Sequence, residues 1–274
     1  MPEGDTIFRT AEVLRAALVG RRITAARAQP RPGMRRVPDL SRLIGATVER
    51  VESRGKHLLI GFDTGLILRS HLRMSGSWHR YRPGEPWRRP PHQASAILET
   101  AEAVAVAFNT PTVELLTDAD LRRSRPLRAL GPDLLGEAFD AREALRRLRE
   151  RDAAEIGVGL LDQRAVAGIG NVIKNEVLFL ERMHPWTRIE GFTDAELRAA
   201  IATARRLLQA NTGGGARVTT GSPRRGQGLW VYSRAGRPCR RCGTLIETRR
   251  QGELARSTYW CPQCQRRKPD RPGA

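Results

Sequence analysis

Four cysteines in two closely spaced pairs constrain the C-terminal part of this chain more than any other feature. Cys239 and Cys242 form one C-x-x-C pair, Cys261 and Cys264 form the other, and eighteen residues separate them. This spacing is typical of a zinc ribbon, in which four thiolates surround one Zn²⁺. Because protein fills all four coordination positions, such a metal is structural rather than catalytic. The alternative is two reduced cysteine pairs without a metal.

The charge of the chain indicates a polyanionic partner. Among 274 residues, 48 are Lys or Arg and 29 are Asp or Glu, a formal net charge of +19. A GC-rich genome would explain why arginine replaces lysine, but not the excess of positive charge. A field of this sign favours nucleic acid as the partner. Because lysine is so rare in this chain, its three lysines are candidates for positions that require an amine: Lys56, Lys174 and Lys268. Six of the arginines in the cysteine module make it strongly basic: Arg237, Arg240, Arg241, Arg249, Arg250 and Arg256.

Membrane and secretory classes are disfavoured by the sequence. No apolar run approaches the length of a membrane span, and the N-terminus lacks the apolar segment of a signal peptide. We therefore expect a cytoplasmic protein without a membrane partner.

The first half of the chain has the pattern of short strands. Asp63-Thr64-Gly65 predicts a hairpin turn between two of them. The spacing of the runs predicts a β-sandwich or barrel over residues 1–135. Segment 81–93, with four prolines and three arginines, is predicted to be a mobile basic loop. The predicted strands are 22–25, 46–51, 58–62, 66–68, 94–98 and 104–108.

The second half changes to helical periodicity. Asp140 followed by Glu143 predicts the start of a helix, and Thr193 followed by Glu196 is a capping box before a second one. Glycine-rich residues 211–228 are predicted to be a loop. The chain is thus predicted to be an α+β multidomain protein. Its predicted divisions are a β-sandwich domain (1–135), a helical domain (136–228), the ribbon (229–265) and a disordered basic tail (266–274).

The N-terminus offers a candidate nucleophile. Removal of Met1 would leave a free secondary amine on Pro2, with the Glu3 carboxylate beside it. An α-amino group titrates near neutrality, and its neutral form can attack a sugar C1′ to give an iminium ion. Asp5 is expected to cap a helix that runs to Gly20, whose dipole favours a neutral amine and an ionised carboxylate. The alternative is an ordinary frayed terminus.

Three further motifs have both a functional and a structural interpretation. Gly168-Ile169-Gly170-Asn171 precedes an apolar helix and can hold a phosphate, or it is a tight turn capped by Asn171. Lys56 lies between two predicted strands, as a phosphate contact or proton carrier, or as an exposed hairpin charge. Arg73 and Met74 can enter a bent duplex as wedges, or Met74 fills the core.

Five motifs in the same order resemble one family. They are MPEG at the start, ESRGKHLL near residue 55, GPDLL at 131–135, GIGNVIKNEVLF at 168–179 and STYWCPQCQ at the end. The chain thereby resembles the formamidopyrimidine-DNA glycosylase and endonuclease VIII family of base-excision repair enzymes, over residues 1 to about 265. The resemblance implies a β-sandwich domain with flanking helices, a helix–two-turns–helix domain with the zinc ribbon, and DNA in the cleft between them.

The resemblance also implies a role for each matching residue. Pro2 matches the nucleophile that expels the damaged base, and Glu3 matches the acid that protonates the sugar or the leaving group. Lys56 and Arg256 match phosphate-contacting residues that support β- and δ-elimination, and Asn171 matches a residue that binds the DNA backbone. The implied partner is damaged double-stranded DNA, bound by a monomer associated with the nucleoid.

In this family, a few side chains fill the space that is left in the duplex when the damaged nucleotide rotates out of it. The chain departs from the family pattern at these side chains. Met74 is present, but residues 109–114 lack the Arg-x-Phe of the formamidopyrimidine branch, and Arg73-Met74-Ser75 replaces the Gln-Leu-Tyr of endonuclease VIII. We therefore expect an enzyme closer to the endonuclease VIII branch, with a preference for oxidised pyrimidines. The alternatives are an oxidised-purine glycosylase and a non-catalytic, basic zinc-ribbon protein that binds nucleic acid.

Overall fold

A computed structural model describes residues 2–267 of the chain. Between Ala129 and Leu130 the chain divides into two compact units. The predicted domain boundaries stay predictions. Met1, whose removal was expected, and residues 268–274 of the predicted basic tail lie outside the described residues.

The first unit begins with helix α1, Gly4–Leu18. Its apolar residues recur at helical spacing, and Ile7, Leu14 and Leu18 are buried. The residue at the N-cap is Glu3, and Asp5 lies inside the first turn, so the prediction that Asp5 caps this helix was wrong by two residues. Both residue types favour helix N-termini, so the local sequence does not distinguish them.

Eight strands form two antiparallel four-stranded sheets in the first unit, in the orders β1-β6-β7-β5 and β2-β3-β4-β8. Their inner faces share one apolar core with α1, which packs against β2. Two short helices, α2 (Asp118–Arg123) and α3 (Arg125–Arg128), follow the last strand. The strands are β1 (Ile23–Ala28), β2 (Val48–Arg54), β3 (His57–Phe62), β4 (Leu66–His71), β5 (Ser77–Tyr81), β6 (Ala94–Thr100), β7 (Val104–Phe108) and β8 (Thr112–Thr117).

Six of these strands were predicted, and β5 and β8 were not. In β5 the polar residues His79 and Arg80 interrupt the apolar pattern, while Trp78 and Tyr81 are buried. The predicted turn at Asp63–Gly65 is confirmed, because β3 ends at Phe62 and β4 begins at Leu66. Much of segment 81–93 is a loop, but Trp87 anchors it, with its ring 6.2 Å from Tyr81 and 5.8 Å from Phe108.

Helices dominate the second unit. They are α4 (Ala141–Arg149), α5 (Ile156–Gly159), α6 (Asn171–Leu180) and α7 (Asp194–Ala210). Asp140 caps α4 by accepting hydrogen bonds from the backbone N–H groups of Arg142 and Glu143, at 2.8 and 3.0 Å. Thr193 and Glu196 form the predicted capping box of α7. Apolar residues of α4, α6 and α7 share a second core.

A two-stranded antiparallel ribbon completes the second unit. Strands β9 (Glu247–Gln251) and β10 (Arg256–Trp260) pair so that Arg256 lies opposite Gln251. The predicted fold class, a β-sandwich followed by a helical domain and a zinc ribbon, is confirmed. Among the described residues, no helix combines the length and the apolar character needed to cross a membrane.

Candidate active site and nucleic-acid interface

Pro2 and Glu3 lie at the N-terminal end of α1. Pro2 is half-buried, and Glu3 is fully buried with 0% of its surface exposed. The Glu3 carbonyl accepts hydrogen bonds from the backbone N–H groups of Thr6 and Ile7, at 3.0 and 3.1 Å, and thereby begins the helix. Glu3 directly follows Pro2 in the chain, so both residues lie at the positive end of the helix dipole.

Asp5 is a second buried acidic residue at the start of α1. It is 0% exposed, and its Oδ1 accepts hydrogen bonds from the backbone N–H of Thr6 at 2.6 Å and from the Thr6 hydroxyl at 3.1 Å. Sequence reasoning assigned this residue only a capping role. No local signal in the sequence shows that this residue is buried.

Lys56 lies in the two-residue turn that joins β2 to β3. Gly55 has a φ of +57°, a conformation that glycine adopts without steric cost, so the turn can be this tight. The side chain of Lys56 is half-buried. Burial, followed by the charges of Arg73 and Lys56, lowers the pKa of His71 to about 4. Lys56 and Arg73 therefore lie close to the same neutral imidazole.

The buried side chain of Arg69 contacts His57, the residue that follows this turn. Arg69 donates its Nε–H to Nδ1 of His57 at 3.3 Å and forms an ion pair with Glu114 at 2.6 Å. Burial, followed by the charge of Arg69, lowers the pKa of His57 to about 2, so the ring is neutral and can accept this hydrogen bond. These contacts fix the residue that follows Lys56 in the chain.

Arg73 and Met74 occupy the loop between β4 and β5. The backbone N–H of Arg73 donates to Nδ1 of His71 at 3.1 Å, and Arg73 has a φ of +53°. Gly76 closes the loop, because a Cβ at this position would lie 2.5 Å from the carbonyl oxygen of Leu72. Met74 is 56% exposed, so it does not fill the core.

The stretch aligned with the Arg-x-Phe loop is partly a strand. Asn109 has a φ of +48°, but β8 begins at Thr112, where it pairs with His71 of β4. Glu114 points its carboxylate at Arg69. Residues 112–114 are therefore held in a sheet, and neither an arginine nor an aromatic side chain is available from them.

Asn171 and Arg256 are brought together in the second unit. Asn171 is the first residue of α6, whose N-cap is Gly170, so the alternative in which Asn171 caps the turn is wrong. Its side chain is 5% exposed, and Nδ2 donates to the carbonyl of Ser257 at 2.8 Å, next to Arg256 on β10. Oδ1 of Asn171 is buried and has no hydrogen-bond partner within residues 2–267.

The rest of α6 buries polar groups that hold neighbouring segments. Lys174 is 0% exposed, and its Nζ donates to the Thr258 hydroxyl at 2.6 Å. Glu176 is 0% exposed and accepts hydrogen bonds from the backbone N–H groups of Trp230, Val231 and Tyr232, at 2.7 to 2.9 Å. The rarity of lysine was the only sequence signal for Lys174, and Glu176 had none.

The four cysteines form one metal-binding cluster. Their Sγ atoms all lie within 4.8 Å of one another, and three of the separations are 3.9 Å (Cys239–Cys264), 3.5 Å (Cys242–Cys261) and 3.4 Å (Cys242–Cys264). A tetrahedral Zn²⁺ with Zn–S bonds of about 2.3 Å has S–S edges of about 3.8 Å, so the geometry fits. Burial raises the pKa of the Cys261 and Cys264 thiols, and a divalent cation offsets this by stabilising the thiolates.

Three family models match successive parts of the chain. The formamidopyrimidine-DNA glycosylase N-terminal domain matches residues 1–113, the H2TH domain of the same enzyme matches 130–221, and the zinc finger found in FPG and IleRS matches 236–267. A probable endonuclease 8 2 of Streptomyces coelicolor is 45% identical over 279 residues, covering 100% of this chain and 97% of that protein. The chain belongs to the formamidopyrimidine-DNA glycosylase family.

Another relative and a solved structure agree with this membership. The DNA-(apurinic or apyrimidinic site) lyase Nei2 of Mycolicibacterium smegmatis is 44% identical over 268 residues, covering 97% of this chain and 99% of that protein. The fold matches a formamidopyrimidine-DNA glycosylase of Lactococcus lactis, crystallised with DNA that contains N7-benzyl-Fapy-dG. The TM-score is 0.80 at 25% identity, with 97% and 100% of the two chains covered.

Membership of the formamidopyrimidine-DNA glycosylase family confirms the predicted resemblance, and the names of both relatives agree with the endonuclease VIII branch. The predicted structural zinc is also confirmed, by the match to the family's zinc finger and by the four clustered thiols. The roles of Pro2, Glu3, Lys56, Arg73, Met74, Asn171 and Arg256 stay predictions.

Proposed function

We propose that this chain is a bifunctional DNA glycosylase and AP lyase of base-excision repair. The observation that carries the proposal is the fully buried carboxylate of Glu3 directly after Pro2, at the N-terminal end of α1. The similarity to an AP lyase and to an endonuclease 8, over nearly the whole chain, supports the same conclusion. The partner is DNA, and the cofactor is one structural Zn²⁺.

In the proposed reaction, the neutral amine of Pro2 attacks C1′ of the damaged nucleotide. A bond forms between the proline nitrogen and C1′, and the glycosidic bond breaks with its electron pair on the base. Glu3 donates the proton that the sugar or the departing base requires. The C1′–O4′ bond of the sugar then opens with its electron pair on O4′, which takes up a proton, while the proline nitrogen loses its proton and forms a double bond to C1′. This iminium ion acidifies C2′, so the 3′ and then the 5′ phosphate leave by β- and δ-elimination. Pro2 must carry no preceding residue, because an acylated nitrogen is not nucleophilic.

We propose that binding is divided among the remaining predicted residues. Lys56 and Arg256 contact phosphates around the lesion, and Asn171 contacts the DNA backbone. Arg73 and the exposed Met74 fill the space left by the flipped base. The protein acts as a monomer in the cytoplasm, associated with the nucleoid.

We further propose a preference for oxidised pyrimidines such as thymine glycol. An arginine that reads the opposite base is worth roughly 1–3 kcal/mol of discrimination, and residues 112–114 supply none. Single-turnover excision from duplexes with thymine glycol or 8-oxoguanine opposite each base tests this. Faster excision of 8-oxoguanine, with a strong dependence on cytosine opposite, would place the enzyme in the purine-specific branch.

Borohydride trapping on a duplex with an abasic site tests the enzymatic proposal directly. We expect a covalent adduct with the parent protein and much less with Pro2→Gly, which replaces the secondary amine of proline by a primary amine. A protein that retains Met1 should form no adduct at Pro2, because that nitrogen is acylated. Pro223→Gly, at an exposed proline in the 211–228 loop, is the matched control and should trap as the parent does. A folded, correctly trimmed protein that binds the duplex without forming an adduct would favour the non-catalytic alternative.

A further inference from the structure

A pocket of about 290 Å³ lies within the second unit, between the segment that follows α6 and the zinc ribbon. None of its residues has a role in the proposed reaction. They are Glu155, His184, Trp186, Arg249, Trp260 and Arg267.

Aromatic rings form one side of this pocket. The rings of Trp186 and Trp260 are 4.6 Å apart at an angle of 72°, and His184 lies 5.6 Å from Trp186. All three side chains are half-buried. Two of the five tryptophans in the chain therefore meet at one partly open surface, which suits the stacking of a flat aromatic group.

The charges around the rings favour an anionic ligand. The guanidinium carbon of Arg249 lies 5.7 Å from the centre of the Trp186 ring, and Arg267 lines the same pocket. Burial, followed by the charge of Arg267, lowers the pKa of His184, so the imidazole is neutral at pH 7. With two arginines and one carboxylate, the pocket has a net positive charge, which disfavours a cationic ligand.

Hydrogen bonds with buried residues hold the carboxylate of the pocket, that of Glu155, in place. Oε2 of Glu155 accepts a hydrogen bond from Nε2 of Gln251 at 2.9 Å, and the same nitrogen donates to the carbonyl of Pro185 at 2.9 Å. Gln251 is 5% exposed, and its Oε1 accepts from the Thr258 hydroxyl at 2.9 Å. The hydroxyl in turn accepts from Nζ of Lys174. This buried network fixes both Glu155 and the chain between His184 and Trp186 before any ligand arrives.

We propose that this pocket binds a single unpaired nucleotide. The base stacks on the tryptophan rings, its N–H edge donates to Glu155, and its phosphate lies beside Arg249 and Arg267. Guanine suits the carboxylate best, because its N1–H and N2–H groups are adjacent donors. The nucleotide can be a free mononucleotide or an unpaired residue of a single strand, since both present the same base and phosphate. The site is independent of the chemistry at Pro2.

Calorimetric titration of the zinc-loaded full chain with each deoxynucleoside monophosphate, and with a 5′-phosphorylated single-stranded oligonucleotide, tests the proposal. The indole N–H signals of Trp186 and Trp260 in NMR spectra report whether the ligand occupies this pocket. We expect dGMP to bind and to shift both signals. Trp186→Ala should weaken binding about tenfold or more, and Trp186→Phe should restore much of it, because a phenyl ring still stacks.

Matched arginines on β9 provide the control. Arg249→Ala should weaken dGMP binding, and Arg250→Ala should not, because neighbouring residues of a strand point to opposite faces. Base excision by Trp186→Ala should stay within about twofold of the parent. If only the oligonucleotide binds, and its binding depends on Trp186, the natural ligand is an unpaired residue of a strand and the proposal holds. Nucleotide binding that is unchanged in Trp186→Ala, or a pocket that accepts only an acidic peptide, would overturn it.

Discussion

The two units of the molecule bury polar groups in different places. In the first unit, buried ionisable side chains lie at the proposed site itself, with Glu3 and Asp5 at the start of α1 and His57 beside the Lys56 turn. In the second unit they lie along α6, where Lys174 and Glu176 hold the ribbon and the segment before it. Buried polar groups thus lie at the proposed site in one unit and hold neighbouring segments together in the other.

The two units therefore depend on different interactions for their stability. The sandwich of the first unit is a continuous apolar core, and two facing sheets can form it without polar contacts. The ribbon has only a small apolar cluster around Phe179 and Val231, so it needs the metal and the polar contacts with α6. Perturbing polar groups should therefore unfold parts of the second unit, whereas in the first unit it should change reactivity or the pH dependence of stability.

Removal of zinc should have the largest effect. Structural zinc contributes roughly 10–16 kcal/mol in small zinc modules, so chelation should unfold the ribbon and lower the affinity for an abasic-site duplex by more than about 100-fold. Hydrogen exchange should show lost protection in β9, β10 and residues 230–232, with the strands of the first unit unchanged. Full activity of a zinc-free protein on duplex DNA would refute the structural role of the metal.

Glu176→Ala should be the next most severe change. Three backbone N–H groups would lose their buried acceptor, and breaking a buried charged network costs about 3–5 kcal/mol. The free energy of unfolding from urea titrations measures this loss. Glu190→Ala is the control, because Glu190 lies on the surface with its carboxylate 3.4 Å from Arg188. Equal effects of the two substitutions would contradict the structural role of Glu176.

Acidification should destabilise the first unit through His57. Its pKa is about 2 in the folded protein and 6.5 in the reference state, so the unfolded chain binds the extra proton between these values. Stability is therefore complete above pH 6.5 and falls as the pH drops, by about 1.4 kcal/mol per unit and about 2 kcal/mol by pH 5. Unfolding experiments at pH 7 and pH 5 measure the difference. His57→Gln should remove this part of the pH dependence, and an unchanged slope would rule it out.

Asn171→Ala and Arg256→Ala should have the smallest effects. Each should weaken binding to an abasic-site duplex about tenfold without changing which lesion is preferred, since contacts to the DNA backbone carry no base information. Arg256→Ala should also reduce the slope of log affinity against log salt by about one. Arg250→Ala, on the same hairpin, is the matched control. Parent-like binding by both variants would refute the proposed phosphate contacts.

Local signals predicted much of this fold. Asp140 and Thr193 cap their helices because the capping side chain and the backbone it binds lie within three residues of each other. The four cysteines predicted the metal site because two thiols within each C-x-x-C pair lie close together whatever the rest of the fold, and the separation of the pairs is typical of a zinc ribbon. At the start of α1, by contrast, the sequence predicted Asp5 as the N-cap, whereas the structure has Glu3 there. Either carboxylate suits the first turn, so local sequence does not distinguish them.

Long-range contacts account for what the sequence did not reveal. Lys174 meets Thr258 across 84 residues, and Glu176 meets Trp230 across 54. No periodic pattern marks a buried lysine or glutamate, because burial is decided by partners that only the tertiary fold supplies. The sequence does not predict the Trp186–Trp260 pocket for the same reason, because only the tertiary fold brings the two tryptophans together.

The contact between α6 and β10 also protects the edge of a sheet. A two-stranded ribbon leaves backbone groups unpaired along its outer side, where another chain can add a strand. Here the side chain of Asn171 binds the carbonyl of Ser257, and Oδ1 of Asn175 accepts the backbone N–H of Tyr259 at 2.6 Å. Two asparagines of a helix thus take the place of a third strand. These contacts on β10 therefore disfavour pairing of the ribbon with a second copy, and unfolding of the ribbon on loss of the metal would expose this edge to self-association.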